Sequence, residues 1–434
     1  MTPSPPLPRP PANPRRLAVE AVVRVLRDGL SLSLEPVRLE SLSLRDKGLA
    51  LEIAAGTLRH LRLLDAILNA CMARPLAKKH HFLHGVLRTA LYQARQMRIP
   101  DRAAIHEAVE LVKSSPERPR AGFVNGVLRS AVNVDAAELL QKISDPVARL
   151  AVEHSHPEWL VRRWWELHGE AATRIRLEAG NRLAPLVLRV NSLRSAPERL
   201  LAALEGRGEP HPGVPGAIRL LSSGPVESLP GFAEGWFAVQ DAAAQWPALL
   251  LDPQPGEEIL DLCAAPGGKT AQLAALTGNG ARICAVDSSP GRLRTLRENL
   301  ARLGVAGVTV LQGDAADPAL LEGRKFHRIL ADLPCSSTGV IRRHPEIKWR
   351  RESGDPQRMA EVQSTILHNA ARWLLPGGRL VYAVCSLEPE EGPEQIRDFL
   401  AIHPEWRCLQ ERRFEPATDQ MDGFFIGYLQ KNDT

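Results

Sequence analysis

No run of 18 consecutive apolar residues occurs in the 434-residue chain, so no segment reads as a membrane span. The opening M-T-P-S-P-P-L-P-R-P-P-A-N-P-R-R lacks the apolar core of a secretory signal, and residues 1–14 are expected to be a disordered proline-rich tail. Cysteine is scarce, six in all, and no two stand as C-x-x-C. That argues against a disulfide framework and against a zinc site. His80, His81 and His84 lie close together without an acidic or cysteine partner and read as a solvated basic turn, so no metal is expected. Neither G-x-G-x-x-G nor a P-loop is present, which makes a dinucleotide or a nucleoside triphosphate a poor first choice. These absences point to a reducing cytoplasm in which thiols stay free, and nothing suggests more than a monomer.

What is present is ordinary globular material, 44% hydrophobic and 24% charged, long enough for roughly three domains. The net charge of +5 is unevenly spread. Residues 1–130 carry 21 Lys/Arg against 11 Asp/Glu, a net of +10, and the remaining 304 residues are net −5. Such segregation suits a polyanion-binding half joined to a half with other work, although an arginine-rich solvated surface would look the same.

Residues 15–140 read as helices throughout: L-A-V-E-A-V-V-R-V-L and L-L-D-A-I-L-N-A-C-M repeat apolar positions at helical spacing. In R-I-P-D-R-A-A-I-H-E-A-V-E-L-V-K a proline stop precedes Asp101, a candidate N-cap. Residues 141–235 are expected to form a small α/β subdomain. P-L-V-L-R-V-N and A-I-R-L-L read as strands, A-P-E-R-L-L-A-A-L-E as a helix, and G-R-G-E-P-H-P-G-V-P-G as a connector. From residue 236 to 434 strands and helices alternate, which implies a Rossmann-like parallel sheet covered on both faces.

Within that region E-I-L-D-L-C-A-A-P-G-G-K-T (258–270) runs from an apolar strand into a small-residue turn and a helix. Small residues let backbone approach a ligand, and the helix start offers free N–H groups. The next strand ends in Asp287, twenty residues after Gly267, an offset suited to hydrogen bonds with ribose hydroxyls. The strand V-T-V-L-Q-G-D ends in Asp314, placed for an adenine amino group. A nucleoside without a triphosphate lying across three strand ends suggests S-adenosylmethionine. Two further strands, F-H-R-I-L-A and R-L-V-Y-A-V, end close to Cys335 and at Cys385. A lone cysteine is usually a small buried hydrophobe, the reading given to Cys71, Cys284 and Cys408, with Cys263 in the cofactor turn. Two thiols ending strands at one mouth call for chemistry.

C-A-A-P-G-G-K-T, D-L-P-C-S-S-T-G-V-I-R-R-H-P-E-I-K-W and V-Y-A-V-C-S-L-E-P-E-E together resemble the RNA cytosine-5 methyltransferases, most closely the bacterial Sun/Fmu (RsmB) branch that modifies small-subunit ribosomal RNA. The helical region, with G-T-L-R-H and G-F-V-N-G-V-L-R, is similar to the NusB-like RNA-binding domain of that branch. The resemblance implies that Cys263, Ala264, Ala265, Pro266, Gly267, Gly268 and Lys269 line the site of S-adenosylmethionine, with Asp287 and Asp314 on its ribose and adenine. Asp332 would sit beside the methyl donor and the target base. Cys385 would be the nucleophile that adds to carbon 6 of cytosine, and Cys335 the helper in product release. Carbon 5 is too poor a nucleophile without such an adduct, and a strand-end thiol facing a helix N-terminus would gain thiolate character. Leu262, Leu333 and Gly392 depart from the family pattern, the last in the loop after the second thiol. R-R-H-P-E-I-K-W-R-R (342–351) mixes five cationic residues with a tryptophan and suits a loop that grips phosphates and stacks on a displaced base. Alternatives left open are a transfer-RNA cytosine-5 methyltransferase and an RNA-binding, transcription-associated protein with a vestigial catalytic half. Amino-group methylation fits less well, because D-L-P-C-S lacks the Asn/Asp-Pro-Pro-aromatic strand end which that chemistry favours.

Overall fold

The computed structural model describes residues 13–34, 42–221 and 224–433. Residues up to Asn181 together with Ile341–Glu352 form one compact unit, and Arg182–Val340 with Ser353 onward form another.

The first unit is helical: α1 (Pro14–Asp28), α2 (Leu44–Arg59), α3 (Leu61–Ala70), α4 (His81–Gln96), α5 (Asp101–Lys113), α6 (Ala121–Ala131), α7 (Ala136–Gln141), α8 (Pro146–Glu153) and α9 (Glu158–Asn181). Residues 1–12 of the expected tail lie outside the described residues, but Asn13 and Pro14 open α1. The Asn13 side chain accepts from the N–H groups of Arg15 and Arg16, as an N-cap should. Asp101 is the first helical residue and not the cap; Pro100 holds the cap position, and the Asp101 charge sits in the positive first turn. The histidine trio is more engaged than a solvated turn. His80 Nδ1 lies 2.8 Å from Glu117 Oε1, and His84 Nε2 lies 3.2 Å from the Leu76 carbonyl.

Residues 141–235, expected as one subdomain, are divided. Asp145 caps α8 through the Val147 amide, and Leu150, Leu160, Val161 and Trp164 are buried, so helical periodicity continues through residue 181. Segment 342–351 also differs from expectation. Lys348 is 1% exposed. Its Nζ donates to the Arg59 carbonyl at 2.8 Å and to Asn181 Oδ1 at 3.0 Å. Trp349 Nε1 donates to the Leu58 carbonyl at 2.7 Å, and Arg350 Nε to the Gly29 carbonyl at 2.7 Å. Open carbonyls at the ends of α1 and α2 thus capture groups that composition alone assigns to RNA.

The second unit holds two sheets. The smaller has the order β2 (Gly208–Pro210), β3 (Ala217–Leu220), β1 (Val187–Val190), β4 (Phe237–Val239), all antiparallel, with α10 (Pro197–Ala203) between β1 and β2. The expected connector 206–216 therefore contains a short edge strand. After α11 (Ala242–Leu251) the main sheet begins with β5 (Glu258–Leu262), α12 (Gly268–Leu276), β6 (Arg282–Asp287), α13 (Pro290–Leu303), β7 (Val308–Gln312) and β8 (Phe326–Asp332). It continues through α14 (Asp355–Trp373), β9 (Leu374–Val384), α15 (Pro393–Ile402), β10 (Trp406–Phe414) and β11 (Phe424–Lys431). The order is β10-β11-β9-β8-β5-β6-β7; strands β9 through β7 run parallel, and β11 and β10 are antiparallel additions. β5, β6 and β8 are apolar and buried on both faces, as central parallel strands must be. After β7 the chain crosses back to lay β8 beside β5. The order reverses there, which opens a crevice at the carboxyl ends of β5 and β8.

Candidate active site

The turn after β5 is held against β6 by the Ala264 amide, which donates to the Val286 carbonyl at 2.9 Å. Gly267 stands at φ 97 and caps α12 with no side-chain bond, so the helix opens toward the crevice. A cavity of about 280 Å³ is lined by Cys263, Ala265, Asp287, Arg292, Asp314, Asp332, Leu333, Cys335, Ser337 and Cys385, among others. A second, of about 170 Å³, is lined by Gln240, Asp261, Cys263, Ala264, Ala265, Pro266, Gly268, Lys269 and Asp332. Asp287, at the tip of β6, accepts from the Ala265 amide at 3.2 Å and the Ser289 amide at 3.0 Å, and pairs with Arg292 at 3.3 Å. Asp314, just past β7, accepts from the Ala316 amide at 2.9 Å.

Asp332 ends β8, and its Oδ2 accepts from Lys269 Nζ at 2.7 Å. Asp261, one residue before the end of β5, is wholly buried. Its Oδ2 accepts from Thr270 Oγ1 at 2.6 Å, while Oδ1 has no protein donor. Burial pushes this carboxyl up to about 7.

The two thiols meet. Cys335 Sγ and Cys385 Sγ are 3.3 Å apart, with Ser337 Oγ 3.7 Å from the first and 3.6 Å from the second. The hydrogen bond with Cys335 lowers the Cys385 thiol below its ordinary value, and the same contact, with burial, raises Cys335 well above it. The expected helix N-terminus is not the leading cause; the neighbouring thiol is. Behind the pair lies Glu391, wholly buried. Its carboxylate accepts from the Ser336 amide at 2.7 Å, Ser386 Oγ at 2.5 Å, Gln363 Nε2 at 3.1 Å and Ser336 Oγ.

The structure thus brings the residues singled out in the sequence to one crevice. Gly267 alone lines neither cavity and acts as the cap of α12. Leu262 and Leu333 are core residues. A Cβ on Gly392 would lie 3.2 Å from Phe425 Cγ, so a larger residue there would require that ring to give by a few tenths of an ångström. Cys284 is buried, whereas Cys71 and Cys408 are only half-buried. Arg292, Asp261, Gln363 and the bracing role of Glu391 were not anticipated. The one available sign was the serine that follows each thiol, P-C-S and V-C-S, with E-P-E-E just downstream.

Comparison with known proteins agrees with this architecture. Residues 248–430 match the family model of the 16S rRNA methyltransferase RsmB/F, residues 12–133 that of the NusB family, and residues 156–227 that of the RsmF/B-like ferredoxin-like domain. Ribosomal RNA small subunit methyltransferase B of Salmonella paratyphi A (strain ATCC 9150 / SARB42) is 42% identical over 433 residues, 96% of this chain and 99% of its own. The crystal structure of PH0851 shares 26% identity at a TM-score of 0.82, covering 98% of this chain and 100% of that one. A methyltransferase homologue from Pyrococcus horikoshii shares 30% at 0.60, over 67% of this chain and 100% of its own. On sequence along nearly its whole length, the chain belongs to the RsmB/F family of 16S ribosomal RNA methyltransferases.

Proposed function

We propose that this chain methylates carbon 5 of a cytosine in small-subunit ribosomal RNA, in the cytoplasm, through a covalent bond between Cys385 and the base. Family membership makes it an S-adenosylmethionine-dependent ribosomal RNA methyltransferase. What supports carbon 5 is the pair of thiols 3.3 Å apart on the wall of a cavity shared with Asp287, Asp314 and Asp332. Methylation of an exocyclic amine or a ribose hydroxyl has no use for a thiol.

The residues present fit the cofactor. Two strand-end carboxylates, Asp287 and Asp314, offer acceptors for ribose hydroxyls and an adenine amino group. Lys269 suits a carboxylate, and the orphan Oδ1 of Asp261 beside Asp332 suits an ammonium. When bound, S-adenosylmethionine supplies the methyl group that the activated carbon 5 takes up.

The chain's own groups do the rest. Cys385, with its thiolate favoured by the Cys335 S–H, adds to carbon 6. The Lys269–Asp332 pair is the place from which a proton is held at N3, so that the ring accepts the electron pair. On release a water molecule takes the C5 proton, the C5–H electrons re-form the 5,6 double bond, Cys385 leaves as thiolate beside the Cys335 S–H, and the N3 proton returns to the Lys269–Asp332 pair. The net positive charge of residues 1–130 favours contacts with the RNA backbone.

Mutating each thiol tests this. With RNA and S-adenosylmethionine, Cys335→Ala is expected to accumulate a denaturant-resistant protein–RNA adduct on a gel, and Cys385→Ala to form none. A reversed pattern would exchange the roles. Turnover by Cys385→Ala would remove the covalent route.

A further inference from the structure

We propose that Glu391 is the positioning residue of this site: one buried carboxylate ties together the residues that follow each thiol and so sets the thiol pair. Cys335 and Cys385 lie beyond the ends of different strands, β8 and β9, separated by 50 residues of chain. The S–H···S contact cannot hold them, because a thiol is a weak donor and a weak acceptor. The next residues can. Ser336 donates both its amide, at 2.7 Å, and its hydroxyl to Glu391, and Ser386 donates its hydroxyl at 2.5 Å. Gln363 donates at 3.1 Å and also reaches the Pro334 carbonyl at 2.8 Å, one residue before the first thiol. Hydrogen bonds to an ionised acceptor are about twice as strong as neutral ones. Both loops therefore hang from one group.

Such a group is costly to keep. All four of these bonds come from neutral donors, and burying a carboxylate without a cation costs several kcal/mol unless its lone pairs are filled. A fold needing only a plug at this position would be served by an apolar side chain. A carboxylate does something a plug cannot: it accepts from both loops at once, through four hydrogen bonds that oppose the burial raising its own proton affinity. Loss of these struts would let the thiols part, and the contact that distinguishes Cys385 from Cys335 would go with them.

This inference rests on the reaction proposed above, and its test separates the two, because thiol reactivity is read without RNA or cofactor. Full-length Glu391→Gln keeps the shape but removes the charge and presents N–H where acceptors are needed; Ser386→Ala removes one strut. Steady-state kinetics are expected to show kcat down by about 100-fold in Glu391→Gln and about tenfold in Ser386→Ala, with KM for RNA and S-adenosylmethionine within about threefold. In the free protein, mass spectrometry after limited iodoacetamide treatment is expected to show the preference for Cys385 over Cys335 falling by about tenfold or more in Glu391→Gln. Unchanged kcat in either folded variant would overturn the inference, as would an unchanged alkylation preference in Glu391→Gln. If Glu391→Gln does not fold, the kcat of Ser386→Ala decides alone. An inactive native protein with a normal alkylation preference would count against the proposed reaction and leave the role of Glu391 standing.

Discussion

Two residues of the same type, ending neighbouring strands, have opposite characters here because of what surrounds them. Cys385 is partly open to the cavity and is lowered by its contact with Cys335; Cys335 is buried and is raised by the same contact. The motif P-C-S places a thiol but says nothing of its proton, which depends on groups distant in the chain. Asp261 makes the same point with a measurable consequence. Its folded carboxyl is raised from 3.8 to about 7, so the folded state holds a proton that the unfolded chain has lost. Unfolding then releases a proton across this window, and stability is expected to fall as pH rises from about 4 to about 7. Asp261→Asn, which cannot ionise, should flatten that slope. Urea midpoints at pH 5 and pH 7.5 would converge in the variant and differ in the native protein; equal midpoints in the native protein would show that Asp261 does not titrate this way.

Secondary-structure elements matter here by where they stop. β5, β6, β7 and β8 end on the same side of the sheet because parallel strands share a direction, and the order reversal between β5 and β8 leaves room for a ligand. The strands were legible in the sequence as apolar runs closing on small or acidic residues, E-I-L-D-L-C and A-R-I-C-A-V-D among them. The turn before α12 permits a sharp contrast between adjacent glycines. Gly267 is at φ 97, with Leu296 Cγ only 3.0 Å from where a Cβ would stand, while a Cβ on Gly268 would meet nothing within 4 Å. Gly267→Ala is expected to cost about 1–2 kcal/mol of stability from the left-handed backbone alone. Gly268→Ala should fold normally yet bind S-adenosylmethionine more weakly, since its methyl group enters the cavity wall. Thermal melting alongside calorimetric titration distinguishes them; equal melting losses in both would refute the assignment.

For the whole molecule, charge and connectivity give different divisions. Residues 1–130 carry the excess of positive charge, and RNA affinity of the full chain is expected to fall steeply between 50 and about 200 mM salt, as counterion release requires. Cutting the chain at the boundary that composition suggests would not yield an intact catalytic half, because Ile341–Glu352 packs with the helical unit. A chain beginning at Arg182 should leave Lys348 and Trp349 without the Arg59, Asn181 and Leu58 acceptors. Limited trypsin digestion is expected to cleave it at Lys348 and to spare that bond in the full chain; equal protection would show that the segment holds its own conformation. The sequence by itself determined the alternating fold, the helical character of the first part, the cofactor turn and the two strand-end thiols. Those features rest on local periodicity, small residues at tight turns and the fixed direction of parallel strands. Tertiary structure alone decided that the two thiols touch, that Glu391 accepts from the serine after each, that helices run on to Asn181 and that Lys348 is buried. Each of these is settled by which distant groups share a space, a relation that neither composition nor spacing along the chain encodes.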